Sequence, residues 1–415
     1  MDSRLSRLTG YFAILIVISV HTGTASAESG RVNVPAPQAP HEVPSQVCGT
    51  CHQAIYEEWA GSMHAKSTAL HDPIHNAFYR RVMGDPTEVD LRKNGRFPIC
   101  LNCHAPNAAI EQRTDLDAKP AFAEGVNCVA CHTMETFHGV DGHDDGKMRL
   151  GIAAYGISTT HLQAPSGRSY SMAPAGDTPA ALARPFHPFP MEGSKGVMQT
   201  SDACMGCHER RENFHGVPLC ATGDEIAASG TSAPCQACHM PTVNGHASHA
   251  MGGGHDENVV RRAVSLLMDT EAVDGAFRVT LTMNNKLPHQ FPTGAPFRNA
   301  FIQLIAYDEA GEEIWKNYTT HPMNDDPKAM LNYTIGDGEG NPAMPPMARE
   351  VISDTRLAPG EERTLVYNVP SEGVVLLRAK LLYNLLWPQL VAQLDAVLTP
   401  DLKAAKVAAE AEQWF

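Results

Sequence analysis

Cys48-Gly-Thr-Cys51-His52 is the first of five Cys-x-x-Cys-His pentapeptides in this chain of 415 residues. The others are Cys100-Leu-Asn-Cys103-His104, Cys128-Val-Ala-Cys131-His132, Cys204-Met-Gly-Cys207-His208 and Cys235-Gln-Ala-Cys238-His239. This spacing is the attachment signal of a c-type haem. In a helical turn, residues three and four apart share one face, so both sulfurs can meet the ring edge while the imidazole reaches the iron. The pattern predicts five covalently bound haem c groups, held by these fifteen residues, with the five histidines as iron ligands.

Structural zinc is the main alternative, because paired Cys-x-x-Cys units also bind that metal. Histidine makes up 20 of the 415 residues, so chance would place it after such a unit about once in twenty cases. Its presence after all five units favours haem. Cys220 is the one cysteine outside the motifs, and a buried inert thiol is favoured there over pairing between molecules.

The first 27 residues have the pattern of a secretory signal peptide. Arg4 and Arg7 form a basic start, residues 11–20 are an apolar run, and Ala25-Ser26-Ala27 is a small-residue cleavage site before Glu28. The apolar run is too short to span a bilayer comfortably, and no later stretch is long enough. We therefore expect an exported protein without a transmembrane segment in its mature chain, located in the periplasm, outside the cell or at the cell surface.

The chain is acidic, with a formal net charge of −14. Loss of the signal peptide removes two bases and one acid, which leaves 30 bases, 45 acids and a charge of −15. Such a surface disfavours nucleic acid and anionic membranes and favours basic partners. The partners expected are redox proteins, an electron donor and an acceptor, and the oligomeric state stays open.

The domain organisation follows from composition. Residues 28–46 are rich in proline and predict a tether without fixed structure. Residues 47–258 hold every motif at roughly 40 residues per haem, too few for an ordinary core around each. We expect a haem-packed, mostly α-helical or irregular domain there, with short helices under the motifs. Residues 141–200, rich in Gly, Ser and Pro, predict loops around the cofactors.

The pattern changes near residue 260, where apolar and polar residues begin to alternate. The predicted strands are 277–283, 300–307, 313–317, 362–369 and 374–383. Period-two segments with hairpin turns predict an immunoglobulin-like β-sandwich over residues 259–386. The segment 321–347 reads as a loop that docks a partner or covers the haem layer. Residues 387–415 predict short C-terminal helices broken at Pro400, so the fold class expected is multidomain.

Five haems offer five further iron positions, and the expected mature chain has 14 histidines outside the motifs. His138 and His215 compete for one position. His138 lies six residues after His132, and such a short tether favours binding to a neighbouring haem, so His138 is our candidate. His71 and His75 are spaced i, i+4 and could form a metal pair, but a solvated helix face is favoured.

The start of the haem region resembles the multihaem cytochromes related to the nitrifier tetrahaem cytochrome, the c-554 type. The first motif leads into a helix with Trp59 and then into Ser62-Met63-His64. In such proteins the corresponding histidine caps a haem. The resemblance implies that His64 is an iron ligand.

Later segments resemble the same family in the same order along the chain. They are Gly125-Val-Asn-Cys128, Ser201-Asp-Ala-Cys204, Cys235-Gln-Ala-Cys-His-Met-Pro241, Gly253-Gly-His255 and Leu287-Pro-His-Gln-Phe-Pro-Thr-Gly294. In related proteins a histidine precedes the second of these segments, and His187 holds that place. The resemblance also implies His289 as a ligand from the β-region. It leaves His249 and His255 as competitors for one site, of which His249 is our candidate.

Two functions are consistent with these residues. Haems with two protein ligands have no open coordination site, so a row of them predicts an electron carrier and not an enzyme. One five-coordinate haem would instead predict an oxidoreductase acting on a small nitrogen or sulfur species. Pentahaem nitrite reductases are the comparison for the second function, but the chain has no Cys-x-x-Cys-Lys motif and its C-terminal part reads as strands. Electron transfer is favoured.

Overall fold

A computed structural model describes residues 39–141, 147–170, 187–194 and 196–415. The predicted signal peptide and residues 28–38 of the predicted tether lie outside these ranges. Residues 39–46 are packed, unlike the tether expected there. The Ser45 amide donates to Glu124 Oε2 at 2.8 Å, His41 pairs with Glu111 at 3.0 Å, and Glu42 pairs with Lys119. Polar partners far along the chain hold this segment, and the local proline pattern does not reveal them.

The helices in the described ranges are mostly one or two turns long. They are α1 (Ser45–Gly49), α2 (Gln53–Gly61), α3 (Pro73–Val82), α4 (Leu101–His104), α5 (Pro106–Ile110), α6 (Pro120–Ala123), α7 (Cys128–His132), α8 (Asp202–His208), α9 (Thr222–Ser229), α10 (Cys235–His239), α11 (Glu257–Val260), α12 (Pro322–Asp325), α13 (Pro388–Leu394) and α14 (Pro400–Lys403). The motifs coincide with helices or helix ends, as the spacing predicts.

Short strand pairs connect these helices. They are β1 (Met134–Phe137) with β2 (Tyr155–Ile157), β3 (Leu162–Ala164) with β4 (Met191–Gly193), β5 (Arg211–Glu212) with β6 (Pro218–Cys220), and β7 (Thr242–Val243) with β8 (His246–Ala247). Only the β3–β4 pair is parallel among these four. One pair, β3 with β4, and one strand of another, β2, fall in the segment 141–200, where the composition predicts loop alone.

The C-terminal part of the chain forms two antiparallel sheets. Their strands are β9 (Val264–Val273), β10 (Ala276–Asn285), β11 (Asn299–Tyr307), β12 (Glu313–Lys316), β13 (Met330–Gly336), β14 (Glu350–Asp354), β15 (Glu362–Pro370), β16 (Leu376–Asn384) and β17 (Lys406–Trp414). One sheet has the order β15-β10-β9, and the other has β14-β13-β11-β16-β17 with β12 also paired to β11. The described chain therefore joins a helical N-terminal part to a β-rich C-terminal part.

Alternating burial explains the strands that the sequence predicts. Val279, Leu281 and Met283 on β10 are buried, and the residues between them are partly exposed. Burying one apolar face in this way stabilises a sheet. β13 lies in the predicted loop 321–347 and was missed because most of its residues are buried on both faces, which removes the alternation.

The C-terminal prediction is right for the helices and wrong for the end of the chain. Helices α13 and α14 are present, but the residues after them form β17, which pairs with β16 from Tyr383↔Lys406 to Leu376↔Trp414. The alanine-rich composition favours a helix locally. Pairing with the exposed edge of β16 overrides that propensity.

Helix α3 packs against both parts of the chain. Ile74 belongs to the apolar core of the two sheets, and Phe78 stacks on Phe297 with ring centroids 5.7 Å apart. Tyr79, on a neighbouring face, belongs to the core of the haem region. The described residues form one compact unit. Of the helices in the described ranges, none has the length and hydrophobicity needed to cross a bilayer.

Candidate haem centres

Each motif is shaped by a single helical turn. The His52 amide donates to the Cys48 carbonyl at 2.9 Å, and the His104 amide donates to the Cys100 carbonyl at 3.0 Å. The third motif is capped by buried Asn127, whose side-chain oxygen accepts from the Ala130 amide at 3.0 Å. Such a cap fixes the start of a helix too short to be stable alone.

Cysteines of different motifs lie in contact. The side chain of Cys48 reaches Cys128, that of Cys103 reaches Cys207, and that of Cys204 reaches Cys235. The first motif therefore adjoins the third, the second adjoins the fourth, and the fourth adjoins the fifth. Among the described residues, no three His, Cys, Asp or Glu side chains converge so as to hold a metal ion, which a structural zinc site would need.

Three motif histidines each lie near a second histidine, with similar distances between the ring centroids. The ring centroids are 6.3 Å apart for His52 and His187, and 6.5 Å apart for His239 and His289. For His208 and His64 the distance is 6.2 Å. With metal–nitrogen bonds of about 2.0 Å, two imidazoles on opposite sides of one metal have centroids about 6.4 Å apart. The spacing of these pairs fits an iron between the rings.

Most of these rings are held by the nitrogen that faces away from such an iron. The Nδ1 atoms of His187, His239 and His289 lie 2.7–2.9 Å from the carbonyl oxygens of Phe189, Gly252 and Gln290. Nδ1 of His64 instead faces Met251 Sδ at 2.8 Å. An Nδ1–H donating to a carbonyl fixes the tautomer and leaves Nε2 as the metal-binding atom.

Burial favours the neutral form of four of these imidazoles, those of His64, His187, His208 and His289. Burial, together with nearby His208 and His239, lowers the pKa of His64 to about 4. Burial is also the main cause of the lowered pKa of His132, His187, His208, His249 and His289. A neutral imidazole retains the lone pair that binds a metal.

His249 also lies near motif histidines. Its charge, like those of His52 and His187, lowers the pKa of His132, and His52 in turn lowers the pKa of His249. The Nδ1 atoms lie 3.0 Å from the Gln163 carbonyl for His132 and 2.8 Å from the Ala247 carbonyl for His249. Glu58 accepts from the His249 amide at 2.8 Å, which fixes the backbone of this residue.

The second motif differs from the others. His104 has its ring centroid 3.9 Å from that of His75, and both Nδ1 atoms face the Ser67 carbonyl, at 3.0 and 2.9 Å. Two rings this close leave no room for an iron between them. His75 Nε2 and Tyr79 Oη are buried without a hydrogen-bond partner among the described residues. Arg211 lies beside His104 and contacts Cys103.

Sequence reasoning missed His75, which is only 9 % exposed and does not lie on a solvated face. Helix α3 begins after Asp72, whose carboxylate accepts from the Ile74 amide at 2.9 Å. His71 therefore precedes the helix and is exposed, and the two histidines do not share a helix face. Phe78 and Tyr79 follow Ile74 and His75 by four residues, which places all four on one side of a helix. This spacing could have indicated that His75 lies on the inward face of α3.

The remaining candidates lie elsewhere. His138 is exposed, with Nε2 3.4 Å from Thr136 Oγ1, and His215 is also exposed. His255 Nε2 faces the Arg298 guanidinium at 3.3 Å. The structure therefore brings His64, His187, His249 and His289 close to motif histidines. It leaves His138, our candidate for the fifth position, on the surface.

Comparisons with known proteins show which family the chain belongs to. Residues 47–133 match the family model described as cytochrome c554 and c-prime. A solved structure, the penta-heme cytochrome c552 from Thermochromatium tepidum, is 45% identical, with a TM-score of 0.83. The match covers 91% of this chain and 100% of that one. No curated protein sequence matches the chain.

The chain is thus a multihaem c-type cytochrome, and it belongs to the family related to cytochrome c554. It carries five covalently bound haem c groups. The paired cysteines, the neutral buried imidazoles and the 6.2–6.5 Å ring spacings fit this cofactor.

Proposed function

We propose that this protein is an exported electron carrier, periplasmic or extracellular, in which most haems have two histidine ligands. The main support for this proposal is the set of three histidine pairs whose ring centroids lie 6.2–6.5 Å apart. Haem iron held on both faces changes oxidation state without opening a site for substrate. Redox proteins are the proposed partners.

The proposed ligand pairs join each motif to a distant part of the chain. They are His52 with His187, His208 with His64, His239 with His289, and His132 with His249. The first three rest on ring spacing, and the fourth rests on proximity and on the fixed Nδ1 atoms. His138 is not among these pairs, because its exposed ring would have to leave the surface to reach an iron.

The cysteine contacts support a route for electrons. Contact between Cys48 and Cys128 places the first attachment site beside the third. Cys131 lies close enough to Cys204 and Cys207 for its charge to raise their pKa values, which brings the third site towards the fourth. The second and fifth sites then adjoin the fourth. We propose a row of the first, third and fourth haems, with the second and fifth beside the fourth.

The boundary near residue 258 remains part of this proposal, but the β-region extends beyond the expected end at residue 386, because β17 belongs to one of its sheets. An immunoglobulin-like sandwich is supported in the second region by a shared core, in which Leu281 from one sheet joins Ile302 and Leu381 from the other. This region also supplies His289, so its proposed role includes completing the fifth haem. The acidic surface suits basic donors and acceptors.

A reductive titration with added carbon monoxide tests the electron-carrier proposal. The oxidised protein should take up five electrons per chain as it is reduced. Carbon monoxide should then change the spectrum of one haem at most, because both faces of the others are occupied. Spectral change at two or more haems would contradict it.

A second candidate function is favoured by the second motif alone. His75 stacks on His104 at 3.9 Å and cannot lie opposite it across an iron. The unpartnered His75 Nε2 and Tyr79 Oη, with Arg211 nearby, are groups that bind small polar or anionic molecules. We propose that this haem is five-coordinate and binds a small nitrogen or sulfur species.

Replacement of the arginine tests the second candidate. Arg211→Met should weaken binding of nitrite to the oxidised protein, followed as a change in the high-spin absorption band, at least tenfold. Arg168→Met, a change in an exposed residue, is the control. Equal nitrite affinity in the wild type and Arg211→Met, or no nitrite-dependent change at all, would remove this function.

A further inference from the structure

A buried ion pair holds the loop that carries His289. Glu225 lies on α9, and its carboxylate Oε1 pairs with Arg356 Nη1 at 3.0 Å. The two side chains are only 7 and 11 % exposed. Burying a charge costs free energy unless the charge is paired and hydrogen-bonded. Two buried charged side chains at one place therefore suggest a role other than packing.

The second oxygen of Glu225 is used by the loop itself. Oε2 accepts from the Gln290 amide at 3.1 Å and from Thr293 Oγ1 at 2.6 Å. Thr293 Oγ1 also lies 2.9 Å from Thr222 Oγ1 at the start of α9. One carboxylate thus joins the haem region, the loop between β10 and β11, and the arginine that follows β14.

Glu225 and Asn285 together fix the peptide bond that follows His289. Gln290, which donates to Glu225, also provides the carbonyl that lies 2.9 Å from His289 Nδ1. Buried Asn285 donates from Nδ2 to the His289 carbonyl at 2.9 Å. The His289 ring faces His239 at 6.5 Å. Glu225 is therefore connected to the His289 ring through a single residue, Gln290.

We propose that Glu225 and Arg356 are positioning residues for His289 and that their charges set the reduction potential of the fifth haem. This inference rests on the proposed ligand role of His289. Inside a protein a charge is poorly screened. A negative charge nearby stabilises ferric iron and lowers the potential, whereas a positive charge raises it.

Opposite single replacements separate this proposal from a merely structural role. Glu225→Gln keeps an oxygen that can accept from the loop but leaves Arg356 without this partner, so the potential of the fifth haem should rise. Arg356→Met leaves Glu225 unpaired, so the same potential should fall. Redox titration followed by electron paramagnetic resonance measures both shifts. The low-spin signal lost in His289→Ala identifies the haem concerned.

Control variants keep the test decisive. Arg378→Met breaks the Arg378–Glu412 pair between β16 and β17 and should leave that potential unchanged. The double variant Glu225→Gln/Arg356→Met should lie between the single variants. Shifts of the same sign, or none in folded single variants, would overturn the proposal.

Thr293→Val serves if the charge variants do not fold, because it removes one hydrogen bond to Glu225 and keeps both charges. The g values of the fifth haem should then change, and unchanged values would overturn the positioning role. If His289→Ala removes no low-spin signal, the ligand assignment fails. If it removes one that neither charge variant shifts, the ligand assignment stands and the role of the ion pair fails.

Discussion

An imidazole that binds iron has to be neutral, oriented and buried, and each condition has a separate cause in this protein. Burial lowers the pKa of His64, His208 and His289. Backbone carbonyls at 2.7–3.0 Å fix Nδ1 in most of the rings. Because the carbonyls belong to irregular chain, the loops determine where the ligands point, and the helices determine where the cysteines attach.

Replacement of His64 tests one ligand at this scale. His64→Ala removes the ring that faces His208 at 6.2 Å, and should convert that haem from low to high spin. Electron paramagnetic resonance of the oxidised protein measures the change. His138→Ala, at an exposed position, is the matched control and should leave the spectrum as it is. Equal spectra for the two variants would remove His64 from the ligands.

At the residue scale, the sequence predicts the ligands that have a local signature and misses those that lack one. The five motif histidines follow from spacing alone. His64, His187, His249 and His289 came from resemblance, since nothing local separates them from surface histidines. The burial of His75 and the exposure of His138 depend on how α3 and β1 pack. The residues next to each histidine in the sequence do not reveal this packing.

At the scale of elements, a close backbone approach joins the His64 loop to the entry of α7. The Val126 amide donates to the His64 carbonyl at 3.0 Å. Gly125 has a φ of +72°, and a Cβ atom added there would lie 2.3 Å from the same carbonyl oxygen. This turn therefore requires glycine for both conformation and space.

Gly125→Ala should destabilise the folded protein by more than the roughly 1–2 kcal/mol that a left-handed backbone costs an L-residue, because the methyl group also displaces the His64 loop. Thermal unfolding of the holoprotein measures the loss. Gly61→Ala in α2, where an added Cβ meets nothing within 4 Å, is the control and should be neutral or slightly stabilising. Similar melting temperatures for both variants would contradict this account of the turn.

The elements themselves were predictable where one face is buried. β10, β15 and β16 alternate buried and exposed residues, and the sequence predicts all three. β13 is buried on both faces, and β17 is an alanine-rich strand defined by its partner. Tertiary pairing determines such strands, so local patterning could not identify them.

For the whole molecule, net charge should govern encounter with redox reagents. The chain carries a formal charge of −14, and haem propionates make it more negative. Electrostatic attraction raises association rates and is screened by salt, with a Debye length of about 8 Å at physiological ionic strength.

Oxidation of the reduced protein by hexaammineruthenium(III), a cation, should slow as salt is added. Oxidation by ferricyanide, an anion, should accelerate. Stopped-flow absorbance at several salt concentrations measures both rates. Two rates with the same salt dependence would contradict steering by the acidic surface.

Spin quantification by electron paramagnetic resonance of the oxidised wild-type protein tests the central claim most directly. The claim is that four haems have histidine on both faces and that the haem at His104 has one open face. The predicted result is low-spin intensity equivalent to four haems, with high-spin intensity equivalent to one. High-spin intensity from two or more haems, or low-spin intensity from all five, would contradict it.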